Sequence, residues 1–511
     1  MKKHFKIACR GSWLSMAQAE IFKNKVLNKF PDVTVEFIIK ETAGDKNQTT
    51  PLHLVEGADF FTKEIQDCIY NGEADFALHS MKDVSSDQFF SKSKYAVIER
   101  EDLRDVVIFN DTVVDKIKAS IPIVIGTSSP RRAEMAIAFL KKALPKFENN
   151  TIEIKSEPIR GNVDTRLRKL NDKEFDGIVL AVAGLNRLLD YLPAKETVST
   201  YLLGKKIMLL PLFECPPAPG QGAIVAETSA ENVDAISILD AIKDVELTRI
   251  ISKERKEAKK LGYGCSQRFG VFSLQNKNVS FTYSSGVNAK EESFSNWIID
   301  SPISMNTKNL FSSTDFMKDF FRSTPIEKLT LDENVKNVFI SSHKAIHNAH
   351  LVKYLSNKKV WAAGTKSWIE IAKLGVWVHG CADGLGLAFL ENYFTGHLYQ
   401  ISKEDMLILT NNISKLHWQS QDWNAVGTYE IDAMLSENLI AKVVAADVVF
   451  WTSYQQYCSC KKYLKWNVVH ACPSGKTACM LQSEGIKPVI FPTIKSFIEW
   501  RKKNTTSINA D

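Results

Sequence analysis

The chain is poor in several things, and each shortage excludes something. Its nine cysteines, at 9, 68, 215, 265, 381, 458, 460, 472 and 479, form no Cys-x-x-Cys pair. An odd, dispersed set argues against a disulfide framework or a zinc finger, and no metal site is expected. The compartment is read as reducing. No apolar run approaches the ~20 residues of a membrane span. The opening MKKHFKIACRGSW meets Arg10 before any leader-like apolar stretch forms, so a soluble, cytoplasmic protein is expected. Low-complexity tracts are missing as well. A strong charge of one sign is also lacking: 65 Lys and Arg against 59 Asp and Glu leave +6 over 511 residues. A dedicated nucleic-acid binder carries a larger or more localised excess.

What is present is ordinary globular composition, 44% hydrophobic and 24% charged. At ~150 residues per domain the length predicts three or four domains. Short apolar runs alternate with helical patterns, which predicts α/β construction. Residues 62–71 place Ile65, Cys68 and Ile69 on one helical face, with Gly72 as a stop. ADFALHS follows as a strand, so His79-Ser80-Met81-Lys82-Asp83 falls at a strand end, the edge where open α/β sheets bind ligands.

In IPIVIGTSSPRRAEMAIAFLKKAL, Ile121 to Ile125 read as a buried strand, Ser129 as an N-cap and Pro130 as the first helical residue. Arg131 and Arg132 then oppose the helix dipole, and a bound anion would rationalise them. In IRGNVDTRLRKLNDKEFDGIVLAVAGLNRLL, Val163, Leu167 and Leu170 form an apolar face and Gly177 to Ala183 read as a buried strand. The Pro- and Gly-rich PLFECPPAPGQG at 211–222 marks a crossing or hinge. Residues 275–335 read as polar and weakly patterned. Beyond them lies a near-repeat: VFISSHKA from Val338 with VFWTSYQQ from Val449, and AAGTKSW from Ala362 with CPSGKTA from Cys472. Two related α/β lobes account for it.

Four constellations could carry chemistry. Asp83 beside Lys82 can hold a developing positive charge or move a proton, although the bland reading is a solvated surface pair. Arg10, Arg131, Arg132, Arg160, Arg166 and Arg187 sit at helix starts or strand ends. Singly each is more often a solvated face; together they suggest a cleft for a polyanionic small molecule. Between 126 and 170 there are ten Lys or Arg against five Asp or Glu, so the surplus charge has a local owner. Cys265, among glycines in LGYGCSQRFG, could be a nucleophile or an attachment point, with an inert turn thiol about as common. Ser342, Ser367, Tyr429, Ser453 and Thr477 form a hydroxyl set near turns and helix starts, where capping is the stronger reading unless the lobes face one cleft. Cys458 and Cys460 read as helix residues.

With these motifs in view, residues 1 to about 320 resemble porphobilinogen deaminase (hydroxymethylbilane synthase). The matching segments are ACRGSWLS, ETAGDK at 41–46, FTKE at 61–64, EADFALHSMKDV at 73–84 and GTSSPRR at 126–132. IRGNVDTRLRKL at 159–170, LAVAGLNRL at 180–188, PAPGQGA at 217–223 and GCS at 264–266 complete the set. The chain departs in VEGADFF, with Ala58 where the family carries a loop lysine. The resemblance implies two periplasmic-binding-protein-like α/β domains plus a small α+β cofactor domain. It implies a dipyrromethane cofactor bound covalently through Cys265, and Asp83 as the catalytic carboxylate, with Lys82. Ser80, Lys82, Asp83, Thr127, Ser128, Ser129, Arg131, Arg132, Arg160 and Gly161 are implied to hold the cofactor. Arg10, Ser12, Arg160, Arg166 and Arg187 are implied to hold substrate carboxylates.

The remainder is similar to uroporphyrinogen-III synthase through VFISS, AAGTKS, VGTYEI, VFWTS and SGKTA. That implies a two-lobed α/β region in which Tyr429 assists loss of a hydroxyl as water and Ser342, Ser367, Ser453 and Thr477 hold substrate. The domains expected are 1–100 with 206–228, 101–205, 229–322, and 323–511. The expected function is bifunctional: four porphobilinogens joined into hydroxymethylbilane, then closure with ring inversion to uroporphyrinogen III. No nucleic acid or membrane partner is expected, and the protein is expected to be a monomer. Two alternatives stay open, a deaminase with an inactive C-terminal half and a non-catalytic binding protein.

Overall fold

A computed structural model describes residues 2–42, 44, 62–84, 93–147, 152–262, 267–305 and 308–505. Ala58, half of ETAGDK, Phe61 of FTKE, and Tyr263 to Ser266 with Cys265 lie outside the described residues. The fold is mixed α/β, with five sheets distributed over two compact units. Among the described residues no helix is long and apolar enough to cross a membrane.

The first unit comprises Met1–Ser273, Tyr283–Asn296 and Gly396–Gln400. Its first sheet runs in the order Thr34–Lys40, His4–Arg10, Phe76–Ser80, Ala223–Ser229, Ser93–Arg100. The first three strands are parallel, and Ala223–Ser229 is antiparallel to both its neighbours. The second sheet repeats the plan as Ile154–Glu157, Ile123–Gly126, Gly177–Ala181, Asp105–Phe109, Lys206–Leu209. Here Asp105–Phe109 is the strand antiparallel to both neighbours. The chain passes from one sheet to the other at 101–104 and returns through 210–222.

Local sequence accounts for these elements. Ser12 caps the helix Trp13–Lys29, which lays Ala19, Phe22 and Val26 on the first sheet at helical spacing. Phe76 meets the rings of Phe5 and Phe22 at 5.8 and 5.1 Å. The helix Lys63–Tyr70 buries Ile65, Cys68 and Ile69 as its spacing predicts, and Gly72, at φ 72°, follows it. Ser129 caps Pro130–Ala143 with Pro130 in the first turn.

Three expectations are corrected. The strand begins at Ile123, and Ile121 is exposed. The run after Gly177 leaves the sheet at Ala181 and turns helical from Val182, an apolar stretch in which strand and helix look alike. The segment 275–335 is well structured: Arg268–Gln275, Ser280–Val287 and Ser293–Ile299 form a three-stranded sheet. Its polar look comes in part from hydroxyl side chains in buried positions, Thr282 and Ser284.

The second unit comprises Leu274–Thr282, Trp297–Thr395 and Ile401–Asp511. Its six-stranded sheet runs Phe321–Pro325, Asn424–Ala433, Met406–Asn411, Asn337–Ile340, Lys359–Ala362, Val378–Cys381. Only Phe321–Pro325 is antiparallel to its neighbour. A four-stranded parallel sheet runs Leu310–Ser312, Val448–Phe450, Val469–Pro473, Val489–Phe491. From Asn337 and from Val448 the chain follows one succession of strand, short turn or helix, strand, helix, strand, helix, which accounts for the near-repeat. Leu310–Ser312 lies ahead of the boundary expected at 323, yet pairs with Val448–Phe450 in this unit.

Candidate active site

In the first unit the strand Phe76–Ser80 ends in a single tight turn, Met81–Asp83, with Met81 fully buried. Three contacts fix that turn. Gln18 donates to Ser80 Oγ at 2.9 Å, and Arg255 donates to the Val84 carbonyl at 3.0 Å. Gly220 of the return crossing presses on Met81 so closely that a Cβ there would stand 2.7 Å from Met81 Cγ. Gly220 and Gly222 have φ of 73° and 84°, a region glycine enters without penalty. The hinge expected at 211–222 therefore also supports the Lys82–Asp83 turn.

The charges around that turn are unbalanced. Burial pushes the Lys82 ammonium below its ordinary range; Asp83 opposes this, Arg132 and Arg166 add to it, and Asp105 opposes it. Arg166 is pushed down to about 10, first by burial and then by Arg132 and Arg160, with Asp83 opposing. Burial likewise lowers Arg160. Arg166 donates its Nε to the Gly161 carbonyl at 2.8 Å, and no acid stands within ion-pair distance of it among the described residues. Gly161, at φ 107°, leaves no room for a Cβ beside Thr165.

Arg131 and Arg132 are only 4% and 8% exposed, so a solvated basic face is the wrong reading for them. The anion beside them is internal: Asp105 lies 2.8 Å from Arg131 Nη2 and 2.7 Å from Arg132 Nη2. Burial pushes the Asp105 carboxyl up, but the two guanidiniums outweigh it and hold the group well below the carboxylate range. Arg132 Nε is buried without a hydrogen-bond partner among the described residues. Arg187 is also buried; it donates to the Gly222 carbonyl at 2.7 Å, bracing the crossing, and burial lowers its pKa. Thr127, Ser128 and Ser129 serve the backbone. Ser128 Oγ donates to the Ile159 carbonyl at 2.6 Å, tying this loop to the start of the Arg160–Gly161 turn. The Arg10 backbone N–H donates to Ser15 Oγ at 3.1 Å, beside the Ser12 cap.

Sequence reading missed Asp105, Gln221 and Gln18. Each acts through a partner distant in sequence; Gln221 Nε2 donates to Asp105 at 2.9 Å across 116 positions. The only local signal was an acid at the start of an apolar strand.

In the second unit Tyr429, on Asn424–Ala433, is buried. Burial pushes its hydroxyl up, and hydrogen bonds with Asn411 and Ser342 oppose the shift. Those three residues come together. Ser342 also caps the turn His343–Ala345, and Ser453 caps Tyr454–Cys460 in a capping box with Gln456. Ser367 and Thr477 lie in the first turns of Thr365–Ala372 and Lys476–Ser483. Helices that follow strands of the two sheets in this unit meet where Gln455 donates to Ser414 at 3.0 Å and Lys476 Nζ stands 4.9 Å over the Trp418 ring. Lys476, also missed, is pushed down to about 8 by burial. Cys458 and Cys460 are helical, as read.

Two sheets joined twice bring Lys82, Asp83, Arg132 and Arg166 within electrostatic reach of one another at a strand end, a setting of the kind enzymes use for anionic small molecules. The comparisons make this specific. A family model described as "Porphobilinogen deaminase, dipyromethane cofactor binding domain" matches residues 5–237. The porphobilinogen deaminase of Alkaliphilus metalliredigens is 36% identical over 53% of this chain and 78% of its own. That of Lachnospira eligens is 34% identical over 54% and 86%. The chain belongs to the porphobilinogen deaminase family, with hydroxymethylbilane synthase activity and a dipyrromethane cofactor. A solved uroporphyrinogen-III synthetase from Helicobacter pylori is 17% identical over 36% of this chain and 90% of its own. Its TM-score is 0.24, too low to carry an argument.

Proposed function

We propose that the chain is bifunctional, its front half building hydroxymethylbilane and its back half closing that product to uroporphyrinogen III. The domains are proposed as 1–100 with 206–228, 101–205, 229–322 carrying Cys265, and the synthase-like remainder. The observation that carries the front half is the setting of Lys82 and Asp83 among Arg132, Arg160 and Arg166, where cations outnumber acids.

That setting suits the cofactor. Each pyrrole bears two carboxylates, and Arg132 Nε and Arg166, neither of them in an ion pair through those groups among the described residues, are donors such a ligand would satisfy. Arg131, Arg132, Arg160, Lys82 and the 127–129 loop would hold the dipyrromethane, with Cys265 as its attachment. When bound, it supplies the pyrrole end from which the chain grows. The Asp83 carboxylate accepts a hydrogen bond from the pyrrole N–H and stabilises positive charge there while ammonia leaves and the new carbon–carbon bond forms. Arg10, Ser12, Arg166 and Arg187 are proposed on the substrate side, Arg187 through the backbone it braces.

In the back half, positioning of a flexible tetrapyrrole supplies most of the catalysis. Tyr429, held by Asn411 and Ser342, is proposed to donate its proton to the departing hydroxyl. The use of Ser342 and Ser453 as caps favours the second reading, a C-terminal half that only binds or stabilises. Incubation with porphobilinogen and isomer analysis of the product separates the two. Type III product is expected, and only type I would reject the cyclase. Intact mass should exceed that of the sequence by one dipyrromethane and lose the excess in Cys265→Ala; an unmodified active protein would overturn the attachment.

A further inference from the structure

Asp105 opens the strand Asp105–Phe109 directly after the first crossing, and its side chain is 1% exposed. Three side chains from two other elements converge on it. Arg131 and Arg132 reach it from the start of Pro130–Ala143, at 2.8 and 2.7 Å. Gln221 reaches it from the return crossing at 2.9 Å, and the same Nε2 donates to the Leu103 carbonyl of the outgoing crossing at 2.7 Å. Arg131 gives a further N–H to the Pro216 carbonyl at 2.7 Å, so the return crossing holds the cluster twice.

Electrostatics says what this arrangement does. Two buried guanidiniums from adjacent residues repel each other, and neither is stable without a counter-charge. A single carboxylate shared between them draws both side chains to one point and lowers the charge of the group from +2 to +1 (2 − 1). Arg132 spends Nη2 on Asp105 and directs Nη1 to the Val179 carbonyl at 3.4 Å; Nε remains unpartnered. The pair is thus set before any ligand arrives, with the buried Arg132 Nε unpartnered among the described residues.

We propose that Asp105 is a positioning residue of the deaminase reaction. It fixes the Arg131–Arg132 pair so that Arg132 presents its free N–H to a carboxylate of the pyrrole chain, and Gln221 ties that setting to the crossing between the sheets. This rests on the reading of Arg131 and Arg132 as carboxylate holders. Its signature is a loss of grip larger than the loss of chemistry, because the Asp105 carboxylate is taken up by Arg131, Arg132 and Gln221 and acts through them.

The test is steady-state kinetics on the full, cofactor-loaded chain. Asp105→Asn should lower the share of chain that carries dipyrromethane, read by intact mass, and in the loaded share raise KM for porphobilinogen roughly tenfold with a smaller fall in kcat, because the pyrrole end that accepts the substrate is held less firmly. Asp105→Glu, which keeps the charge, should recover most of that loss. A folded, cofactor-loaded Asp105→Asn with unchanged KM, or with kcat alone reduced, would overturn the assignment. Should Asp105→Asn not fold, Gln221→Met decides, since it removes one hydrogen bond to Asp105 and no charge. A KM raised about twofold to threefold is expected, and an unchanged KM would overturn the proposal. Arg132→Ala separates the two levels: full dipyrromethane loading by intact mass together with an unchanged KM there sinks the carboxylate-holder reading itself. A raised KM in Arg132→Ala, with Asp105 and Gln221 variants unaffected, sinks only the role of Asp105.

Discussion

Glu254 should be among the most costly positions to alter in the first unit, and the cost can be worked out contact by contact. It lies in the helix Val245–Lys260 with no exposed surface. Its Oε1 accepts from Arg100 Nη1 at 2.7 Å and from the Ser273 N–H at 2.8 Å. Its Oε2 accepts from Arg100 Nη2 at 3.1 Å and from the Gly220 N–H at 2.8 Å. In Glu254→Gln one oxygen becomes an NH2 group that cannot accept, so whichever way the amide faces, it confronts one guanidinium N–H and one backbone N–H. A stranded buried N–H costs about 1–3 kcal/mol and a charge-assisted bond about 1.5–3, so a loss of about 3–5 kcal/mol is expected. Urea unfolding followed by tryptophan fluorescence measures it. The exposed pair Arg249–Glu246, at 2.6 Å, is the control, and Arg249→Ala should cost under about 1 kcal/mol. Replacing Arg100 and Glu254 together by Met should recover part of the loss, because no buried charge is then left alone. A Glu254→Gln loss below about 1 kcal/mol, with the same m value, would refute the reasoning. Because Gly220 leans on Met81, porphobilinogen turnover should fall along with stability.

Other outcomes are expected. Asp83→Asn should reduce turnover by about three orders of magnitude or more with an unchanged circular dichroism spectrum; near-normal turnover would remove Asp83 from the chemistry. Lys476 has its folded pKa lowered from 10.5 to about 8, so between those values the unfolded chain holds the extra proton and stability rises with pH. Lys476→Met should therefore flatten the rise between about pH 8 and 10, and a rise of undiminished slope in the variant would contradict the burial of this amine. Tyr429→Phe should shift product from type III toward type I with the fold intact, and an unaltered isomer ratio would free Tyr429 from its proposed role.

Parts of this were legible in the sequence because they are local. The spacing of Ile65, Cys68 and Ile69, the Ser129–Pro130 helix start and the near-repeat depend on residues a few positions apart. The Lys82–Asp83 turn was legible as a strand end. The strand carrying Ser280–Val287 was not, because buried Thr282 and Ser284 look like surface residues until the sheet covers them. Val182 continued an apolar run, and periodicity over five to seven residues cannot separate strand from helix. Asp105 was hidden for another reason. An acid at a strand start has many uses, and only the fold brings Arg131, Arg132 and Gln221 to it. The bland reading of the arginines failed at Arg131, Arg132 and Arg187, whereas for Ser342 and Ser453 the capping reading was at least half the answer.

The antiparallel strand Ala223–Ser229 is the fourth in its sheet but joins it only after the whole second sheet has been laid down. Order of synthesis follows from that. A nascent chain that has emerged only to Arg100 holds four of the five strands, with a vacant slot between Phe76–Ser80 and Ser93–Arg100. It must keep that slot open for more than a hundred further residues. Leu310–Ser312, an edge strand, likewise gains its partner Val448–Phe450 only after most of the second unit has followed it. In both halves, therefore, an early strand is paired late, and the ribosome must release most of each half before that pairing can form.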